Sequence, residues 1–366
     1  MASADLPHLA TKQGLAARWG ISEVAAELYL RSDIVDLHVE SFSFHRAVGY
    51  HLHRRHGRGL LRAQLVGQAD LPRLREAGLS GATWSVTANP LRPAEDRERA
   101  FEAQFSELKK LLNSADHGSQ LVTNATDYQR AKRQGMFASF IGVQGANALP
   151  EDAGQLSRYA PELLRITLMH MSDSSFGCTS TPGFSLPGSR RHRRGGGLGT
   201  RGFEFMEEMR RLRIGIDLAH VHPRGFWDAV ASHGTTQPLF VTHTGVQAVH
   251  AHFRNLDDAQ LRAVARTGGT VGIMYHALYL GDPLWAGTVS TIAEHILHAL
   301  SVVGPDHVSL GSDWDGLICT PRDMPTCLEL PRLVHALLER AVAPSTVQKI
   351  LGGNFLRVLG ELRGAA

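Results

Sequence analysis

Short apolar, β-branched runs recur along this chain with helix-patterned segments between them, and that alternation constrains the fold more than any other feature. Strands separated by helices pair in parallel, because each helical crossover returns the chain to the same end of the sheet. Eight runs read as strands: residues 34–39, 81–86, 137–143, 163–169, 214–219, 239–242, 270–275 and 307–311. Helices are expected over 71–77, 94–113, 128–134, 201–212, 256–267 and 291–303. In the segment 256–267, Asp257 and Asp258 favour the first turn, Leu261, Val264 and Ala265 form an apolar stripe, and Gly268 stops the helix. Eight such units predict an α/β fold of the (β/α)8 TIM-barrel type. A doubly wound open sheet fits less well, since no G-x-G-x-x-G follows the first strand and no Walker loop occurs. The expected organisation is one barrel domain over residues 1–366, with a helical N-terminal extension over about residues 1–30. An insertion at 177–197, rich in Gly, Pro, Ser and Thr, follows the fourth strand and is expected on the catalytic face as a lid or pocket wall.

With 366 residues and 43% hydrophobic content the chain can bury a sizeable core. Its net charge is only +3, and the one basic run, Ser189-Arg190-Arg191-His192-Arg193-Arg194, lacks interleaved aromatics and runs into three glycines. It reads as a solvated loop tip, and no nucleic-acid partner is expected. The N-terminus carries Asp5 and Lys12, and no run of about 18 or more apolar residues occurs, so neither a signal peptide nor a membrane partner is expected and the protein is placed in the cytoplasm. Cys178, Cys319 and Cys327 are odd in number and have no CxxC spacing, which argues against a disulfide framework or a thiolate zinc site. Twenty histidines direct any metal towards nitrogen and oxygen ligands.

Barrel enzymes place their chemistry at the C-terminal ends of strands. Here strand one ends in His38 and Glu40, which share one face because side chains alternate. The third strand ends in Gln144, the fourth in His170, the fifth in His220, the sixth in His243 and the eighth in Asp313. A single histidine at a strand end is more often a satisfied core residue, but incidental placements would not all fall on one rim. Asp313 follows its strand directly and is the better general base; Asp315 reads as a loop or capping residue. His45, His51, His53 and His56 lie among Arg46, Arg54, Arg55 and Arg58 and read as a loop cluster outside the chemistry.

From about Asp36 to Leu356 the chain resembles the membrane (renal) dipeptidase family of the amidohydrolase superfamily. The resemblance rests on Gln68-Ala69-Asp70-Leu71-Pro72-Arg73-Leu74, Gly81-Ala82-Thr83-Trp84-Ser85-Val86, Ile141-Gly142-Val143-Gln144-Gly145, Asp217-Leu218-Ala219-His220-Val221, Gly311-Ser312-Asp313-Trp314-Asp315-Gly316 and Leu351-Gly352-Gly353-Asn354-Phe355-Leu356. It implies an amidohydrolase-like barrel with two zinc ions that hydrolyses dipeptides, a small-molecule substrate, and a homodimer. By the same resemblance His38 and Glu40 match the pair that ligates the first metal, His220 and His243 the histidines of the second, and Gln144 the position of a bridging glutamate. His170 matches a histidine that polarises the scissile carbonyl, Arg254 the arginine that holds the substrate carboxylate, Asp313 the acid/base, and Tyr279 lies near a pocket position.

Two of the five metal-ligand positions depart from the family pattern, with Glu40 for aspartate and Gln144 for the bridging glutamate. Two divalent ions ~3.5–4 Å apart repel by roughly 18 kcal/mol at an effective dielectric of ~20. Anionic bridges offset that repulsion, and a glutamine brings no charge. The expectation is therefore a dipeptidase-like zinc hydrolase holding one or two ions. A metal-free site is the third state. The alternative is a repurposed relative, mono-metal or metal-free, that catalyses an acid/base elimination, isomerisation or cyclisation on a specialised natural-product molecule.

Overall fold

The computed structural model describes residues 11–58, 60–87, 93–181 and 196–364. Nine strands occur among them: β1 Val35–Val39, β2 Gly81–Thr87, β3 Ser119–Leu121, β4 Phe137–Gln144, β5 Leu163–Thr167, β6 Gly215–Asp217, β7 Phe240–Thr244, β8 Thr270–Ile273 and β9 Val308–Leu310. All but β3 lie side by side in chain order, and every pairing is parallel. Just past β9 the Asp313 N–H donates to the His38 carbonyl (3.1 Å) and the Glu40 N–H to the Trp314 carbonyl (2.8 Å), which joins the last strand to the first. The eight-stranded (β/α)8 barrel is the expected one, with strand ends displaced by one or two residues at most. The strand β3 was not expected. It is three residues long, too short to show alternation, and pairs with the start of β4 outside the barrel order.

Strands β1, β4 and β5 are buried at every position, as parallel strands covered by helices must be. This is why they appear in the sequence as continuous apolar runs and not as alternating ones. The expected helices are present, including the long Ala94–Leu112. The segment read as 256–267 is shorter, Asp258–Arg266, because Asp257 is its N-cap: the carboxylate accepts from the Gln260 N–H while the Gln260 side chain accepts from the Asp257 N–H. Among the described residues six α-helices went unread: Ser41–Val48, Pro223–His233, Ala277–Leu280, Pro331–Glu339, Pro344–Gln348 and Asn354–Arg363. Pro223–His233, Pro331–Glu339 and Pro344–Gln348 each begin with proline at the first position, a start signal the sequence reading passed over even where, as in Pro331–Glu339, Leu333, Val334 and Leu337 form a buried apolar stripe.

Helices Lys12–Trp19 and Glu23–Leu30 precede β1. Of the insertion at 177–197 only its two ends are described, and the basic run 189–194 lies outside the described residues. The first end docks on the loop after β6, where the Ser180 N–H donates to the His220 carbonyl (2.7 Å) and the His222 N–H to the Cys178 carbonyl (3.0 Å). Among the described residues no helix is long and apolar enough to cross a membrane.

Candidate active site

The C-terminal ends of the strands bring the seven rim residues together. His38 and His243 stack face to face, with ring centroids 4.1 Å apart. The His220 ring stands edge-on to His243 (4.9 Å) and to His170 (4.8 Å). The Nε2 atoms of His220 and His243 are 2.8 Å apart, and Gln144 Nε2 lies 3.0 Å from His220 Nε2. His38 Nε2 is 3.0 Å from Glu40 Oε1 and 3.5 Å from Asp313 Oδ1. Beside them the buried Arg254 guanidinium makes one hydrogen bond among the described residues, to the His243 carbonyl at 3.3 Å. Tyr279 flanks this group rather than joining it, stacked on His252 (4.3 Å) and packed against His276 (4.2 Å).

The backbone is bent to make this possible. His220, Asp313 and Asp315 adopt φ of 65°, 62° and 64°, the left-handed region that non-glycine residues rarely occupy. The bend after β9 is held by Asp315, whose carboxylate accepts from the N–H groups of Gly67 (2.7 Å), Gln68 (2.9 Å) and Ala69 (3.1 Å) and from the Ser41 hydroxyl. Asp315 thus ties the β9 loop to residues 67–69. The loop histidines spend ring nitrogens on backbone carbonyls: His45 on Tyr50, His53 on Leu111 and His56 on His51.

Burial dominates the electrostatics. It pushes the Asp313 carboxyl well above its ordinary range, and the Glu40 charge adds to the push. Burial acts on Glu40 in the same direction, but hydrogen bonds from His38 and Thr87 prevail and hold its carboxyl below the usual value. Glu40 is therefore the anion of the pair and Asp313 the carboxyl that readily carries a proton. His220 and His243 are held well below the ordinary imidazole range, first by burial and then by nearby cations, Arg254 among them, so both rings are neutral and available as ligands.

Below the rim lies a layer that the sequence reading missed. Arg165, in the middle of β5, is 1% exposed. Its Nη1 donates to Thr167 Oγ1 (2.8 Å) and sits 3.2 Å from Asp217 Oδ2, while its Nη2 reaches His38 Nδ1 (2.5 Å). Asp217 also accepts from the Thr167 hydroxyl (2.6 Å) and from the Thr242 hydroxyl (2.7 Å) and N–H (3.0 Å). Gly142 on β4 leaves the room: a methyl group there would stand 2.9 Å from the Arg165 guanidinium carbon. The sequence signal was a lone charged residue inside the apolar run Leu163-Leu164-Arg165-Ile166, a placement that requires a buried partner.

These residues fit a divalent cation at His220 and His243. The Thr242 hydroxyl proton is committed to Asp217, so its oxygen accepts from His243 Nδ1–H (3.0 Å) and leaves His243 Nε2 as a lone pair. Gln144 Oε1 is buried without a hydrogen-bond partner, and turning over that amide would direct an oxygen at the same point. His38, His243 and Asp313 also offer donor atoms within 4.8 Å of one another.

The sequence profile described as membrane dipeptidase, peptidase family M19, matches residues 23–366. The chain belongs to that family. Among curated family relatives, the chain is 32% identical over 260 residues to an uncharacterized protein in the pqqA 5' region of Klebsiella pneumoniae, covering 70% of this chain and 93% of that one. It is 26% identical over 311 residues to the dipeptidase tcpJ of Claviceps purpurea, covering 82% and 71%. Among solved structures, the metallopeptidase dipeptidase AC of family M19 superposes with a TM-score of 0.79 at 24% identity over 91% of this chain and 99% of that one, a likeness of fold. Membership makes the chain a dipeptidase-like hydrolase or a non-hydrolytic relative of one.

Proposed function

We propose that this protein is a metal-dependent hydrolase of small amide or dipeptide-type substrates that carry a carboxylate. The observation that carries this reading is Arg254: a buried guanidinium with a single hydrogen bond among the described residues, beside the imidazoles and Asp313, has donors to spare for an anion. His220 and His243, with Gln144, would hold the divalent ion, zinc being the expected metal. That ion supplies the Lewis acidity that makes water a competent nucleophile near neutral pH. Arg254 anchors the substrate carboxylate, and Tyr279 with His252 forms the adjoining wall. His170, edge-on to His220, would donate to the scissile carbonyl oxygen. Asp313 removes a proton from the attacking water and returns it to the leaving amine, a double duty suited to a carboxyl whose affinity for protons is raised by burial.

The protein supplied with zinc or manganese should cleave members of a dipeptide panel that includes D-residue and dehydro substrates, and should lose activity on the C-terminal amides. Arg254→Met should lower kcat/KM on the free acids at least tenfold and leave any activity on the amides unchanged. No turnover anywhere on the panel removes this reading. A homodimer belongs to the same proposal, and light scattering should then give a mass near twice 39.9 kDa.

A second reading has its own support in Gln144, a neutral side chain where the family pattern has a bridging glutamate. The enzyme would be a repurposed relative that performs an acid/base elimination, isomerisation or cyclisation on a specialised small molecule. The double variant Gln144→Glu, Glu40→Asp separates the two. Dipeptidase activity that appears only in the variant supports the repurposed enzyme, and family-like hydrolysis by the unaltered protein eliminates it.

A further inference from the structure

The guanidinium of Arg254 does not hold itself in place. Buried with a single hydrogen bond among the described residues, it stands wherever the loop between β7 and the helix Asp258–Arg266 carries it. The base of that loop is closed on itself: the Leu256 N–H donates to the Gly245 carbonyl (3.1 Å) and the Gln247 N–H to the Leu256 carbonyl (2.8 Å). Beside it Tyr279 rides on Ala277–Leu280, a helix of four residues. A single turn is too short to be stable alone, so partners outside the helix fix where that ring lies.

Two buried side chains supply those partners, and each also grips the Arg254 loop. Asn255 is 7% exposed, and His295, on the helix Val289–Val303, is fully buried. The Asn255 amide donates to the Tyr279 carbonyl (2.8 Å) and the His250 carbonyl (2.8 Å), while its oxygen accepts the Gly245 N–H (3.1 Å). His295 Nδ1 accepts the Val246 N–H (2.8 Å), which leaves the ring proton on Nε2, where it is donated to the Leu280 carbonyl (3.1 Å). The last carbonyls of a helix find no partner within it, and here Tyr279 and Leu280 spend theirs on Asn255 and His295. Glycines let the loops meet. A methyl group on Gly245 would stand 2.4 Å from Asn255 Oδ1, and one on Gly281, where φ is 98°, would stand 3.0 Å from the His250 ring.

We infer that Asn255 and His295 are positioning residues for carboxylate recognition: together they lock the Arg254 loop to the Tyr279 helix, so that guanidinium and aromatic wall form one anion subsite before substrate arrives. This rests on the reading of Arg254 as the anchor of the substrate carboxylate. A subsite assembled in advance spends no binding energy on ordering its loops. Loss of either brace therefore acts on recognition of the free carboxylate, and leaves the chemical step and the metal ligands alone.

The test reads discrimination between free dipeptides and their C-terminal amides, by steady-state kinetics, with calorimetric binding for compounds that are not cleaved. Asn255→Ala and His295→Leu should each reduce that discrimination at least tenfold. The loss should come through a raised KM or Kd on the free acids, with kcat, the values for the amides and the metal content unchanged. A merely structural role would lower thermal stability and weaken acids and amides alike. In hydrogen exchange on the unaltered, ligand-free protein, the Gly245 and Val246 amides should already be protected, and a free dipeptide should leave their rates unchanged. That arm uses no variant, so one that fails to fold does not remove the test. Discrimination retained in either variant, an equal loss on acids and amides, or protection that appears only when the dipeptide binds each overturn the inference. Where the unaltered protein still hydrolyses free dipeptides, the hydrolase reading survives that result. Free dipeptides that bind in preference to their amides without being cleaved, a preference lost in both variants, do the reverse.

Discussion

Asp313 combines a left-handed backbone with a buried carboxyl held within 3.5 Å of His38 Nε2. Aspartate and asparagine tolerate that backbone better than most residues, because their short polar side chains bond locally. Asp313→Asn should therefore preserve the bend while removing the group that exchanges a proton. We expect kcat to fall about 10²–10⁴-fold, with KM and metal content held, measured by steady-state kinetics beside metal analysis; an unchanged kcat would remove Asp313 from the proton path. At this scale the rim residues were legible because each directly follows a run whose direction the barrel dictates. The proton positions were not legible. Arg165 is 127 residues from His38 in sequence, and only the barrel's closure brings its guanidinium under that ring.

Among the elements, the eight barrel strands were legible because a parallel strand buried on both faces needs an unbroken apolar run. Their ends were less so. The strand assignment of β6 stops at Asp217, although the Leu218 N–H still donates to the Phe240 carbonyl at 2.9 Å, because the chain bends towards the αL residue His220. The short β3 and the helix Pro223–His233 depend on tertiary partners more than on local pattern: β3 exists through its pairing with β4, and the helix starts from a His222 cap and packs Phe226 into the core. Close approach of strands also left a trace that is readable only afterwards. A methyl group on Gly272 would stand 2.1 Å from the Thr242 carbonyl oxygen, and one on Gly311 only 1.9 Å from the same atom.

For the whole molecule, acid sensitivity follows from histidines buried as neutral rings. His276 is 8% exposed and its pKa is pushed down to about 4, chiefly by burial, and its Nδ1 accepts the Cys319 N–H. Because the folded pKa is depressed below the unfolded ~6.5, the folded form binds fewer protons, and stability is present above ~6.5 and lost as pH falls towards 4. The full effect of this one ring is on the order of 3 kcal/mol. Asp36, pushed up to about 7 by burial, slopes the other way across the same window, losing stability as pH rises. The diagnostic is therefore a difference: between pH 7 and 4.5, urea midpoints should fall more steeply for the unaltered protein than for His276→Asn, which keeps an acceptor but cannot become a cation. Equal slopes would show that His276 is not the titrating group. The sequence alone determined the barrel, its family and which residues stand on its catalytic rim, because strand periodicity and chain order are local properties. The tertiary structure alone decided how those residues are charged, because that depends on Arg165, Asp217 and Thr242 meeting across three strands in a dry interior.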